Sequence, residues 1–117
     1  MDPLKKTLTN PRLNEVLKAF ELLRILDREI PGQLVSAFLY IASHNPCHKQ
    51  AMEEELGLTV ASGSRLVDWL SDYHRLGKPG LGLVVKSKDP ANMRRILVKL
   101  TPKGEALVKQ FIELIYD

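Results

Sequence analysis

The sequence predicts a mainly α-helical domain with one small β-hairpin, an α+β fold, from three observations. First, apolar residues recur at helical spacing, with interruptions at Pro31-Gly32, Asn45-Pro46 and Gly57. Second, short β-like runs replace this spacing after residue 80, and third, helical spacing returns after Thr101-Pro102. A chain of 117 residues is long enough for one such domain with a core of its own.

Two helices account for the first part of the chain. Asn10-Pro11 combines an N-cap with a proline suited to the first helical turn, so a helix is expected from about Pro11 to Arg28. A second, strongly apolar helix follows Pro31-Gly32 and ends near His44-Asn45-Pro46, and we expect it at the centre of the core. The apolar stripe of the first helix consists of Leu13, Val16, Leu17, Phe20, Leu23 and Leu26.

A helix-turn-helix is predicted next. A short polar helix spans about Lys49 to Leu56, and Gly57 suits the positive φ that closes a helix. Thr59 is a suitable N-cap for a second helix that reaches about Tyr73. Two short helices joined tightly through glycine are typical of this motif. The buried stripe of its second helix is predicted to be Gly63, Leu66, Val67 and Leu70.

A β-hairpin and a last helix complete the order of elements. The β-like runs are Leu81 to Lys86 and Arg94 to Leu100, and Ser87 to Asn92 is the predicted turn. Thr101-Pro102 again combines a cap with a proline and precedes a helix of about 15 residues. This order is that of a winged helix-turn-helix flanked by N- and C-terminal helices. The apolar residues of the last helix are Leu107, Val108, Phe111, Ile112, Leu114 and Ile115.

Basic residues concentrate around the hairpin. The chain carries 17 Lys and Arg against 14 Asp and Glu, a net charge of +3 that does not by itself indicate a polyanionic partner. Between Arg75 and Lys99, however, seven basic residues accompany a single acidic one, Asp89. A local positive field in an otherwise slightly acidic chain is typical of a phosphate-binding element, and a solvated basic surface is the alternative.

Two segments are informative together. The first is residues 52–59 (MEEELGLT) leading to residues 62–70 (SGSRLVDWL), and the second is residues 94–104 (RRILVKLTPKG). Through them the sequence resembles the MarR family of bacterial transcription regulators over about residues 11–116. The resemblance implies a homodimer with dimerization helices at about 11–30 and 102–116. It also implies a DNA-binding lobe at about 48–100, two copies of which bind a pseudo-palindromic duplex.

Two residues depart from the usual motif. Glu53 stands where a small residue normally faces the second helix, and Gly63 stands where a β-branched residue is usual. Glycine inside a helix costs roughly 1 kcal/mol relative to alanine, so the second helix is expected to be loosely fixed without DNA. A small-molecule effector is compatible with the resemblance but is supported by no residue of the sequence.

The exposed face of the second helix would enter the major groove. A rotation of about 100° per residue places Ala61, Ser64, Arg65 and Asp68 opposite the buried stripe. Thr59 and Ser62 can reach phosphates or base edges at its N-terminal end, and Arg65 can make a bidentate contact to guanine. In the alternative interpretation Thr59 and Ser62 only cap the helix, and Arg65 pairs with Asp68.

The predicted wing supplies the other candidate contacts. Arg94 and Arg95 point to opposite faces of the sheet, so one is expected inward and the other free. Lys86 and Lys88 lie beside the turn. A wing tip with this charge suits phosphates or the minor groove, and the alternative is that the charges only protect an edge strand from aggregation.

Other function classes find less support. His44, Cys47 and His48 could bind a metal or sense oxidants, but no fourth ligand follows at a recognisable spacing, so we interpret Cys47 as a dispensable loop residue and predict no metal or cofactor. No catalytic motif is evident, and we expect no enzyme. Without a membrane-spanning run or a signal-peptide pattern, a soluble cytoplasmic protein is expected.

The sequence therefore predicts a regulator that binds double-stranded DNA with sequence specificity as a homodimer and represses transcription from a promoter. The competing hypothesis is a protein-interaction module whose wing docks on an acidic protein surface. Dimer burial is predicted for Leu107, Phe111 and Ile115 together with the stripe of the first helix. The predicted DNA contacts are Thr59, Ala61, Ser62, Ser64, Arg65, Lys86, Lys88, Arg94 and Arg95.

Overall fold

Helices and a three-stranded antiparallel sheet form the fold in this computed structural model, which describes Leu4, residues 6–74 and residues 76–116. The predicted α+β class with a hairpin wing is confirmed. The helices are α1 (Pro11–Leu26), α2 (Gly32–Ser43), α3 (Lys49–Leu56), α4 (Val60–Leu70) and α5 (Pro102–Ile115). The strands are β1 (Cys47–His48), β2 (Val84–Asp89) and β3 (Asn92–Leu100), in the order β1-β3-β2.

The predicted caps form as expected. The side chains of Asn10, Thr59 and Thr101 each accept a hydrogen bond from a backbone N–H three residues on, at 3.0 to 3.1 Å. Gly57 closes α3 in the left-handed region with a φ of 63°. Two helices end earlier than predicted, α1 at Leu26 and α4 at Leu70. In both cases the next residue leaves helical geometry, with extended backbone at Asp27 and a ψ of −106° at Ser71.

The first strand of the hairpin lies further along the chain than predicted, and the second begins at Asn92, two residues earlier than predicted. The backbone N–H groups of Leu81 and Leu83 donate to the carbonyls of Trp69 and Leu70, each at 2.8 Å, so this segment terminates α4 instead of joining the sheet. The first strand consequently begins at Val84. At the other end, Ser87 and Lys88 pair with β3, which shortens the predicted turn.

The placement of Cys47 in a loop is wrong. Cys47 and His48 form β1 and pair with Val98 and Leu97 of β3. A two-residue strand is too short for its alternation to be recognised in a sequence. The pairing joins the start of α3 to the root of the wing.

The core lies between α2, the helix-turn-helix and the sheet, as predicted for α2. Phe38 is fully buried, and its ring meets that of Phe111 edge to face at 5.9 Å. Leu107 and Phe111 belong to this core, which corrects their predicted place in a dimer interface. Of the α1 stripe, Leu23 alone is buried. No helix within the described residues is both long and apolar enough to cross a membrane.

Candidate nucleic-acid interface

The N-terminal turn of α4 is built by its cap and by the glycine turn before it. The predicted buried stripe, Gly63, Leu66, Val67 and Leu70, is the one observed. Ala61 and Arg65 are exposed on the other side, and Ser62 and Ser64 are partly buried. The Arg65 guanidinium donates to Ser62 Oγ at 3.2 Å. The helix therefore presents the face that the sequence predicted, and contact of this face with DNA stays a prediction.

The alternative pairing of Arg65 with Asp68 is not formed. Asp68 instead contacts the ammonium of Lys86 on β2, eighteen residues along the chain. Within the described part of the chain, no carboxylate forms a salt bridge with Arg65. The guanidinium of Arg65 is thus available to an external acceptor. The charge of Lys86 is partly compensated by Asp68, and this contact joins the wing to α4.

Both wing arginines are exposed, which corrects the expectation that one points inward. β3 is exposed from Asn92 to Ile96 and becomes buried at Val98, because the tip of the hairpin extends beyond the core. Lys88 is exposed on the neighbouring strand. The wing tip therefore carries free cationic side chains on both of its strands. Arg75, which begins the basic segment of the sequence, lies outside the described residues.

A His–Asp contact joins the wing turn to β1. His48 Nε2 lies 2.8 Å from Asp89 Oδ2, and Asp89 Oδ1 accepts the backbone N–H of Ala91 at 2.9 Å. The hydrogen bond with His48, followed by the bond from Ala91, lowers the pKa of the Asp89 carboxyl. Asp89 therefore stays ionised and fixes the start of the turn whose far side carries Arg94 and Arg95.

The polar cluster of the 44–48 segment is dispersed in three directions. The His44 ring stacks on Tyr40 with centroids 4.1 Å apart, His48 binds Asp89, and Cys47 is buried in the core. Among the described residues, no three His, Cys, Asp or Glu side chains are grouped so that they could hold a metal ion. Burial raises the pKa of the Cys47 thiol, so the reactive thiolate is disfavoured.

We expect Cys47 to be unreactive in the folded protein. Its thiol should react with an aromatic disulfide reagent at least about tenfold more slowly in buffer than in denaturant, because the side chain is buried and its pKa is raised. Absorbance of the released thiolate measures both rates. Rapid labelling in buffer, together with peroxide sensitivity that Cys47→Ser removes, would instead establish a thiol switch.

The terminal helices leave an apolar face uncovered. Leu13 and Leu17 of α1 are 65% and 55% exposed, and Ile112 and Ile115 of α5 are 49% and 55% exposed. An apolar cavity of about 110 Å³ opens beside this face and is lined by Val16, Ala19, Phe20, Leu23, Val35, Leu39, Phe111 and Ile115. Because α1 packs against α5, these exposed residues lie on adjoining helices, and contiguous exposed apolar patches are typical of interaction sites.

Sequence reasoning missed three side-chain pairs at the interface. His48 with Asp89 and Asp68 with Lys86 are remote in sequence, and no local pattern indicates them. Lys49 and Glu53, by contrast, stand at the i,i+4 spacing of a helical ion pair, a visible signal. Their burial between the two helices was not predicted, since such pairs usually lie on the solvent side.

The chain shares its fold with solved transcriptional regulators. It matches regulator Tm0710 from Thermotoga maritima with a TM-score of 0.67 and 21% identity, over 89% of this chain and 66% of that chain. It matches a mutant of MepR from S. aureus bound to an oligodeoxyribonucleotide with a TM-score of 0.65 and 23% identity, over 87% of this chain and 68% of that chain. It matches a mutant of MarR from E. coli complexed with operator DNA with a TM-score of 0.59 and 19% identity, over 88% of this chain and 77% of that chain.

These likenesses establish a winged-helix fold of the MarR type, as the sequence resemblance predicted. The chain spans slightly less than two thirds to about four fifths of the length of the structures it matches. No protein-family model matches it, and no curated protein is significantly similar.

Proposed function

We propose that this protein is a transcription regulator that binds double-stranded DNA with sequence specificity as a homodimer and represses a promoter by occupying it. The observation that supports this proposal most directly is the contact between Asp68 and Lys86, which holds the exposed face of α4 beside the basic hairpin. A helix suited to the major groove next to a cationic wing suited to the phosphate backbone is an arrangement that can recognise a duplex. Two regulators with this fold are solved with DNA.

The two elements would have different roles. Arg65, at the middle of α4, forms no salt bridge with a carboxylate of the described residues and is suited to guanine, with Thr59, Ala61, Ser62 and Ser64 around it. Lys88, Arg94 and Arg95 are suited to phosphates or the minor groove. Lys86 can join them once a phosphate competes with Asp68, so its net contribution should be smaller than that of Lys88.

A second copy of the chain is the proposed occupant of the face formed by α1 and α5. The exposed leucines of α1 and isoleucines of α5 supply an apolar patch on two helices that pack together, with the start of α1 beside the end of α5. A two-fold axis through this patch would make it self-complementary and would present two α4 helices to a palindromic site.

Selection from random duplex DNA, followed by footprinting, tests the proposal. We expect enrichment of a palindromic motif whose half-sites are spaced by about one helical turn, or about 10 base pairs. Affinity for the selected duplex should fall steeply with salt. Weak binding to every duplex without enrichment would reject sequence-specific regulation and favour a wing that docks on an acidic protein.

Separate variants should distinguish base contacts from backbone contacts. Arg65→Ala should cost about 1–3 kcal/mol on the selected site and relax the preference at one position of each half-site. Lys88→Ala should weaken binding to all duplexes alike and reduce the salt slope by about one unit per half-site. Fluorescence titrations on the site, its single-base variants and unrelated DNA measure both effects. Wild-type behaviour of both variants would refute the assignment.

A further inference from the structure

A buried ion pair lies between the two helices of the helix-turn-helix. Lys49 and Glu53, on successive turns of α3, are only 7% and 6% exposed, and the Lys49 ammonium contacts Glu53 Oε2. The same ammonium lies 3.5 Å from the carbonyl oxygen of Val60, the first residue of α4. Removing two charges from water is costly, so stability alone gives no reason to place them there.

Gly63 of α4 is the counterpart of this pair. A Cβ atom at Gly63 would come closer than 3.0 Å to the Cγ and carboxyl atoms of Glu53. The absence of a side chain at this position therefore creates the space that the buried carboxylate occupies. The two departures from the usual motif are therefore one complementary contact, in which Gly63 packs against Glu53. That α4 is loosely fixed without DNA stays a prediction.

The pair acts on the part of α4 that carries the candidate base contacts. Val60 directly follows Thr59, and the first turn of the helix contains Ala61 and Ser62. Apolar contacts tolerate small slides of one helix over another, whereas a slide of α4 over α3 would separate the buried ammonium from the Val60 carbonyl and leave a charge less well solvated. Polar groups buried at a helix interface can set a register in this way.

We infer that Lys49 and Glu53, accommodated by Gly63, are positioning residues that set the N-terminal turn of α4 relative to α3 and thereby the sequence specificity of DNA binding. This inference rests on the proposed function. It differs from a purely structural role in one measurable respect. Removal of the pair should lower the ratio of specific to non-specific affinity without lowering stability by a comparable amount.

The double variant Lys49→Met/Glu53→Leu tests this inference because it replaces the pair with apolar side chains of similar volume. Its thermal midpoint should equal or exceed that of the wild type. The ratio of affinities for the selected duplex and an unrelated duplex should fall about tenfold, the effect of one mismatched base pair. Affinity for the unrelated duplex and its salt slope should not change, because the wing cations remain in place.

The corresponding double substitution one residue further along α3, at Gln50 and Glu54, provides the control. Gln50 donates to Glu54 at 3.2 Å with the same spacing, but both side chains are exposed. Gln50→Met/Glu54→Leu should retain the wild-type ratio. If Lys49→Met/Glu53→Leu does not fold, Glu53→Gln replaces it, since it keeps the shape of the side chain and removes its charge, and a several-fold loss of the ratio is expected.

A folded Lys49→Met/Glu53→Leu or Glu53→Gln variant with the wild-type ratio would overturn the inference and leave the pair as a packing feature. An equal fall in the affinity ratio of the Gln50→Met/Glu54→Leu control would also overturn the inference. These outcomes are distinct from failure of the proposed function, in which the wild-type protein itself shows no preference for any duplex.

Discussion

Gly104→Ala should lower the free energy of unfolding by about 2 kcal/mol and the thermal midpoint by about 10 °C. Gly104 lies in the first turn of α5, where an added Cβ would come closer than 3.0 Å to the carbonyl oxygen of Leu83. This neighbour is backbone, so α5 itself must move away from the segment that precedes β2. Overpacking of this kind outweighs the gain of about 1 kcal/mol that alanine has over glycine in a helix.

Gly32→Ala provides the matched control for Gly104→Ala. Gly32 is the first residue of α2, and among the described residues no atom beyond its chain neighbours and the backbone of α2 lies within 4 Å of the position its Cβ would take. The same substitution should therefore be neutral or stabilise the protein by up to about 1 kcal/mol. Thermal unfolding followed by circular dichroism measures both variants, and a Gly104→Ala protein as stable as the wild type would show that α5 does not contact the backbone of Leu83 this closely.

Ile112→Glu should convert a dimer into a monomer at micromolar concentration and weaken binding to a palindromic site about 100-fold. Ile112 is 49% exposed on α5, so the change introduces a charge on the proposed dimer face and leaves the core intact. Two lobes joined in a dimer bind two half-sites with an effective concentration that separate lobes lack. Sedimentation and titration with the palindromic duplex measure the two effects.

Gln110→Glu is the control for Ile112→Glu. It introduces the same residue on the same helix, on the opposite flank of the buried Phe111, and should keep the dimer and the affinity. A wild-type chain that sediments as a monomer and binds the palindrome with full affinity would contradict the proposed assembly.

Local signals in the sequence were sufficient for the helices and their caps. Asn10, Thr59 and Thr101 cap three helices because their side chains satisfy N–H groups only three residues away. The buried stripe of α4 follows from helical periodicity in the same way. Such features depend on neighbours in the chain, so a sequence without a structure specifies them.

Features that depend on remote partners could not be predicted in this way. β1 exists because Cys47 lies beside Val98, and Leu81 leaves the sheet because its N–H reaches a carbonyl at the end of α4. The candidate DNA contacts are exposed or partly exposed and their binding to DNA stays a prediction, whereas the contact of Lys86 with Asp68 was not foreseen. Glu53 and Gly63 were each recognised as unusual, and only their approach in space shows that they belong together.

The pairing of β1 with β3 also determines how the molecule opens. It closes a loop of chain that contains α3, α4 and β2, so the sheet is complete only when β3 returns to Cys47. Separation of these strands releases the root of the wing and the start of α3 together. We therefore expect the two elements proposed to contact DNA to open together, as one unit in hydrogen exchange.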